Sequence, residues 1–445
     1  MIGIYDKISS IVWSNYMLAF ILIFGGLLTV KSKFFQIRGF KKIWRETIGT
    51  LFSGEKAECT DKEISQFGAF CGTLAATMGT GNIVGVASAV AIGGAGAVFW
   101  MWVSAFIGMM IVFAENFYGT IYRRKDKNGE WSGGAVNYIA DGTGSRAAAL
   151  VYAALCVAAS FGMGNMVQTN SISSALMEEY SVDLIITGVV TSFLCGLAII
   201  GGIKRISAVT KVIIPFISVI YISASLIIIF KNIVIVPGIL GKIFSEAFGI
   251  SAFGGGVSGI MIKKAISTGL KRGVFSNEAG LGTSAMIHAS GSCKKPEVQG
   301  MWGIAEVFTD TIVCCTLTAL VILCYTENGG GCTSEGPALV INAFRDGFGK
   351  YAGSFICISI SVFAFATLIG WSHCGESAFR YIFKDKFKYV YKFLYCIAAA
   401  TGAVLELNTV WTMSDIFNGL MIIPNITALI ILCIKNPVRN YFNYK

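Results

Sequence analysis

Apolar stretches close to the length of a bilayer crossing recur along the whole chain, at about 13–30, 66–92, 97–122, 149–176, 184–201, 207–230, 243–270, 299–324, 350–379, 390–406 and 411–434. About 20 helical residues cross the roughly 30 Å of hydrocarbon. Hydrocarbon offers no partner to a backbone amide, so runs of this length can satisfy themselves only as helices. The pattern predicts an all-α polytopic membrane protein of about 11 transmembrane helices, a single membrane domain over 1–445. With 55% hydrophobic and 13% charged residues in 445, a soluble enzyme, a disordered chain and a secreted disulfide scaffold are all excluded.

The charge of +10 reads as topology. Thirty of the 35 Lys and Arg fall in 31–65, 122–148, 203–211, 262–298, 379–393 and the C-terminus. Alternating spans put these segments on one side, so the positive-inside rule predicts an inner-membrane protein with its N-terminus outside and its C-terminus in the cytoplasm. The basic clusters carry no nucleic-acid motif. The 13–30 run has its basic residues after it, at Lys31 and Lys33, which reads as a retained extra N-terminal helix, not a signal peptide. Ile37, Phe40, Ile43, Trp44 and Ile48 then alternate with Arg38, Lys41, Lys42 and Arg45 at a spacing suited to a helix in the headgroup layer.

Two clusters of helix breakers interrupt the spans. One is Met78-Gly79-Thr80-Gly81-Asn82, and the other is Phe253 to Gly259, containing Gly254, Gly255 and Gly256. Irregular backbone at bilayer depth is tolerated only where it lines a cavity or packs within protein. The clusters lie five spans apart in helices that cross in opposite directions. This predicts repeats of inverted topology, 66–230 and 243–434, with a binding site between two discontinuous helices, as secondary transporters have. A helix that stops offers carbonyls to a cation, and one that restarts offers N–H groups to a carboxylate. A zwitterion with a co-transported cation uses both. Gly93-Gly94-Ala95-Gly96 reads instead as a tight turn or a close-packing contact.

The run Gly93 to Gly108 (GGAGAVFWMWVSAFIG) resembles the signature of the alanine or glycine:cation symporters, the sodium:alanine symporter family. Met78 to Gly85, Gly273 to Gly280, and Asn418-Gly419-Leu420-Met421 with Pro424-Asn425 agree with it, so the resemblance covers about 13–435. It implies a leucine-transporter-like fold with one extra N-terminal helix, and import of alanine or glycine driven by Na⁺, or in some members H⁺. Serine or glutamine is the alternative substrate. Position by position it implies substrate contacts at Gly81, Asn82, Gln168, the Gly254 to Gly256 break and Trp371, and Thr80 and His373, beside these residues in the sequence, join them as candidates. It also implies a Na⁺ site from backbone oxygens of Ala75, Met78 and Phe363 with the Thr367 hydroxyl. Such oxygens suit a hard cation. The chain departs from the family pattern at Ala366, where a second hydroxyl is common, and at His373.

His373 can line the pocket or relay a proton, or it can be a neutral imidazole bonded between helices. His288 reads as an ordinary residue of a basic inner loop. Glu115, Asp310 and Asp415 are costly in lipid and are expected to face the bundle interior. Ser276-Asn277-Glu278 is expected in the inner loop beside Arg272, ordering that loop or pairing charges at a gate. The 13 Cys form no CxxC pair. No constellation for an intramembrane enzyme sits at a common depth.

Overall fold

The computed structural model describes residues 2–51, 64–125, 131–249, 257–292, 295–331 and 336–438. Its helices are α1 (Ile2–Val12), α2 (Asn15–Lys31), α3 (Phe35–Arg38), α4 (Phe40–Glu46), α5 (Gln66–Thr77), α6 (Val84–Gly93) and α7 (Gly96–Ile121). There follow α8 (Arg146–Tyr180), α9 (Leu184–Ile199), α10 (Gly202–Lys231), α11 (Val236–Phe248), α12 (Val257–Asn277) and α13 (Thr283–His288). The last are α14 (Pro296–Glu327), α15 (Pro337–Phe348), α16 (Ala352–Phe383), α17 (Lys388–Gly402) and α18 (Leu407–Lys435). Among the described residues, seven helices are long and apolar enough to cross a bilayer, counting α1 and α2 as one, and the bent pair α5–α6 makes an eighth.

Most expected spans lie where the apolar runs placed them, because a continuous run leaves the backbone no cheaper structure. The run 243–270 is an exception. Helix α11 ends at Gly249, which adopts φ +66°, and a separate helix resumes at Val257. Gly254, Gly255 and Gly256 lie outside the described residues.

Helix α7 is the central column. It packs on α12 and α14, and twenty of its residues are buried. Small residues let its neighbours approach. A Cβ at Gly269 would meet the Trp100 Cβ at 2.7 Å, and one at Gly303 would meet the Val112 side chain at 2.8 Å. The 93–96 segment is a tight turn: Gly94 takes φ +70° and the Gly96 N–H donates to Glu246 Oε2 at 3.3 Å. The expected headgroup-layer helix is two short helices, α3 and α4, meeting at Gly39, with Ile37, Phe40 and Trp44 exposed.

Four basic residues assigned to the inner side by sequence lie at the opposite end. Gly93, beside the 93–96 turn, faces Ala265 and Thr268, so Lys263 and Lys264 share that end. Lys271 and Arg272 pair with Asp415 in the first part of α18, far from its end at Lys435. The expectation failed because it ended the span at 270, whereas α12 enters the membrane later and runs to Asn277.

Candidate functional site: two broken helices and the groups that hold them

The first break bends α5 and α6 apart by 59°. Helix α5 stops because Met78 leaves helical geometry, and the glycines on either side of Thr80 admit other strands of the bundle. A Cβ at Gly79 would lie 2.8 Å from Gln168 Oε1 and nearer still to Thr367 Oγ1, and one at Gly81 would lie 3.2 Å from the Ser276 Cα. Thr80, Asn82, Gln168 and Thr367 are all buried there, none more than 3% exposed.

Each of these residues is held by a definite hydrogen bond. The Thr80 N–H donates to Gln168 Oε1 at 3.1 Å, while Gln168 Nε2 donates to the Met163 carbonyl at 2.9 Å. The Thr367 hydroxyl donates to the Ala75 carbonyl at 2.7 Å, tying α16 to the last turn of α5. Asn82 Nδ2 donates to Asp310 Oδ1 at 2.7 Å and to its carbonyl at 3.0 Å. The same carboxylate accepts from Ser276 and Thr311, each at 2.7 Å. Thr80 Oγ1 and Asn82 Oδ1 are buried with no hydrogen-bond partner among the described residues. A buried polar atom left so costs about 1–3 kcal/mol, which marks the place where a polar ligand would repay it.

The second break is at residues 278–282, between α12 and α13, where Glu278, Gly280 and Gly282 take φ of +56°, +93° and +78°. The Ser276–Glu278 segment, expected in an inner loop, is instead buried inside the bundle. The spans' hydropathy hid it: after 270 the chain is too polar to read as membrane helix, because its polar residues are satisfied by other helices and not by water. The Gly280 carbonyl accepts from Asn425 Nδ2 at 2.8 Å and the Leu281 carbonyl from the Tyr152 hydroxyl at 2.6 Å. Glu278 accepts from Trp371 Nε1 at 2.6 Å and from the Thr283 hydroxyl. Trp371 thus lies with the second break, and Gly164 passes against it so closely that a Cβ would meet the Trp371 Cγ at 2.5 Å.

Two widened helical turns face these breaks, Gly162–Met166 in α8 and Phe308–Cys315 in α14. Such turns frequently accompany functional sites because they redirect side chains and free carbonyls. The first aims Asn165 at the Tyr395 carbonyl (2.7 Å) and presents Met163 to Asn418 (2.8 Å). The second aims Asp310 at Asn82. Neither widening is visible in sequence, since only a ladder of backbone bonds distinguishes it from ordinary helix.

The residues expected to hold the cation are placed as follows. Ala75, Met78 and Thr367 surround the end of α5, with the Met78 sulfur 3.9 Å from the Ser218 hydroxyl. Phe363 lies one turn before Thr367 in α16, packed edge-on to Tyr221 at 6.0 Å. The carbonyls of a terminating helix and one hydroxyl form a donor set fit for a hard cation. Among the described residues no group of three His, Cys, Asp or Glu could hold a metal.

His373 is not with Trp371 at the breaks. It lines a separate polar cavity of about 460 Å³ with Met286, Ser290, Glu376 and Lys392. His288, expected in a loop, is fully buried in α13 beside Gln299 and 3.6 Å from Glu306. Arg272 faces Asp415, not Glu278. Its guanidinium lies 3.4 Å from Asp415 Oδ1 and 4.4 Å above the Trp411 ring, which stacks on Phe275 at 4.5 Å. Lys271 Nζ reaches the same carboxylate at 2.6 Å. A recess of about 120 Å³, lined by Val84, Ser88, Arg272 and Trp411, ends on this cluster.

The profile of the sodium:alanine symporter family matches residues 2–445. The sodium/alanine symporter AgcS of Methanococcus maripaludis is 38% identical over 436 residues, 97% of this chain and 94% of that one. GlnT of Bacillus subtilis, described as a probable sodium/glutamine symporter, is 35% identical over 95% of this chain and 87% of that one. Among solved structures, MhsT in complex with L-phenylalanine superimposes with a TM-score of 0.60 at 15% identity, covering 82% of this chain and 89% of that one, which shows the fold alone. Both the matched profile and the shared fold belong to transporters, not enzymes. On a match running the length of the chain, this protein belongs to the sodium:alanine symporter family, multi-pass membrane transporters of amino acids with a leucine-transporter-like fold.

Proposed function

We propose that the chain imports alanine, and glycine by the same site, together with Na⁺. The observation that carries the reading is the first break. There the end of α5 presents carbonyls to Thr367, and the restarting chain presents Thr80 and Asn82 beside Gln168. Na⁺ is held by the carbonyl oxygens of Ala75, Met78 and Phe363 and by the Thr367 hydroxyl. The substrate carboxylate meets the N–H groups at Gly81 and Asn82, where the helix restarts. Gln168 orients the zwitterion without a competing charge, and Trp371 limits the side chain to a methyl group or hydrogen.

The two partners share one helix end, so binding of either orders α5 for the other. The repeats 66–230 and 243–434 then rock about the breaks, alternately exposing the site. The Arg272–Asp415–Trp411 cluster bars the recess side. The cavity beside His373 is the exit, which assigns that histidine to the pathway and not to the substrate pocket. The protein sits in the inner membrane, N-terminus outside and C-terminus in the cytoplasm. Most of the basic residues remain on the predicted inner side after Lys263, Lys264, Lys271 and Arg272 are moved.

Competition in proteoliposomes tests the substrate. Unlabelled alanine and glycine should displace labelled alanine well below the concentration at which serine or glutamine does, under an inward Na⁺ gradient. Displacement led by glutamine would move the chain to the alternative, and uptake following a H⁺ gradient alone would replace the ion.

A further inference from the structure

Helix α1 lies on the first part of α18, where Trp13 Nε1 donates to the Asp415 carbonyl at 2.8 Å. Past Trp13 the chain turns onto α7, so close that a Cβ at Gly25 would sit 3.0 Å from the Ile107 Cβ. Helix α2 thereby diverges from the end of α18. The gap between them is a groove of about 380 Å³, floored by Met110 and Ala114 of α7 and walled by Phe24, Leu28, Ile430 and Ile434. Its rim is exposed: Leu27 is 52% and Ile434 74% accessible, so the groove opens sideways.

One end of the groove is not apolar. Lys31 and Ser32 close it. The Lys31 side chain is exposed and its ammonium makes no hydrogen bond or ion pair among the described residues. The Ser32 hydroxyl donates to the Thr29 carbonyl at 2.9 Å and accepts from the Phe35 N–H at 3.5 Å, so it offers no proton to a ligand and Lys31 is the donor at this end. Lys435 is held away by the Gly142 carbonyl at 3.3 Å. This end begins the basic stretch Lys31, Lys33, Arg38, Lys41, Lys42 and Arg45.

We propose that this groove is a specific site for an anionic phospholipid, one acyl chain lying between α2 and α18 and the phosphate resting on Lys31. The charge chooses the occupant. A neutral lipid or a detergent tail would fill the apolar part equally well, but only an anionic headgroup gives the free ammonium a partner at headgroup depth. Basic pockets between membrane helices bind lipid headgroups in this way, and each Lys near an anionic surface contributes about 1 kcal/mol. The occupant also fills the seam between the extra N-terminal helix and α18, whose other half carries Asp415 and Asn418. Lipid at this seam therefore bears on the helix that takes part in both the Arg272 cluster and the breaks.

Native mass spectrometry of the full-length protein, with phosphatidylglycerol and phosphatidylcholine of identical chains supplied in equal amounts, tests the site. Wild type should retain phosphatidylglycerol several-fold over phosphatidylcholine. Lys31→Ala should cut that preference about five-fold, the equivalent of one lysine near the surface. Leu27→Trp, on the exposed rim, should obstruct the groove and lower retention of both lipids. Glycerol phosphate without chains should not be retained. Both substitutions are at exposed positions, so folding is not at stake. Equal retention of the two lipids, a preference unchanged in Lys31→Ala, retention unchanged in Leu27→Trp, binding of glycerol phosphate alone, or a second copy of the chain at this face would each overturn the proposal.

Discussion

At the scale of single residues, the candidate site rests on neutral groups arranged around a few buried acidic side chains. Asn82 is the sharpest case. Its amide holds Asp310 while its own oxygen has no partner among the described residues, so the residue both positions an acid and offers an acceptor. Asn82→Ala removes a donor from a buried carboxyl group, a loss of about 1–3 kcal/mol in such settings. Alanine affinity measured by calorimetry should fall by more than ten-fold, and an unchanged affinity would take Asn82 out of the site. Thr367→Ala removes the hydroxyl on the Ala75 carbonyl. It should raise the Na⁺ concentration for half-maximal uptake by roughly ten-fold, about 1.4 kcal/mol, whereas Thr367→Ser should restore it. The small set around the first break was legible in the sequence because glycine and amide residues inside an apolar run have few structural excuses. Glu278 and His288 were not, since a polar residue looks the same in a solvated loop and in a buried network until its partners are known.

At the scale of elements, the two breaks differ in how they are held. The carbonyls of the second break are occupied by Asn425 and Tyr152, side chains of α18 and α8, which makes it a fixed joint. The first break is held by Gln168 and Thr367, and glycine at position 79 lets those two groups approach. Gly79→Ala would drive a methyl group into both, so transport should drop below one-tenth of wild type while the protein still elutes as a folded species in size-exclusion chromatography. Wild-type transport in that variant would show that the approach is not needed. The second break could not be found from glycine clustering, because Gly254 to Gly256 form a denser cluster than Gly280 and Gly282. What marks the break at 278–282 is positive φ at three nearby residues, a property of conformation and not of composition.

At the scale of the whole molecule, the recess and the polar cavity approach the breaks from different sides, and the Arg272 cluster stands between the recess and the site. Cys315 lies below that cluster, 3.1 Å from Ser276 and buried. Arg272→Gln leaves Asp415 with Lys271 alone and removes the cation over Trp411, so modification of Cys315 by a small thiol reagent, located by peptide mass spectrometry, should quicken several-fold and slow again with alanine present. An unchanged rate would mean that the cluster is structural and not a gate. The overall bundle was readable because eleven apolar runs allow little else, and the basic residues fixed a side for most loops. Four of them misled because charge in the outer part of a helix, paired with Asp415 or at the membrane end, counts the same in sequence as charge in a loop. On the proposed function, Na⁺ and alanine cross together through the first break. The most direct measurement follows labelled Na⁺ and labelled alanine in the same proteoliposomes. Na⁺ should enter only when alanine is supplied, in fixed proportion to it, and Thr367→Ala should weaken both fluxes together; alanine entry without accompanying Na⁺ would contradict the account.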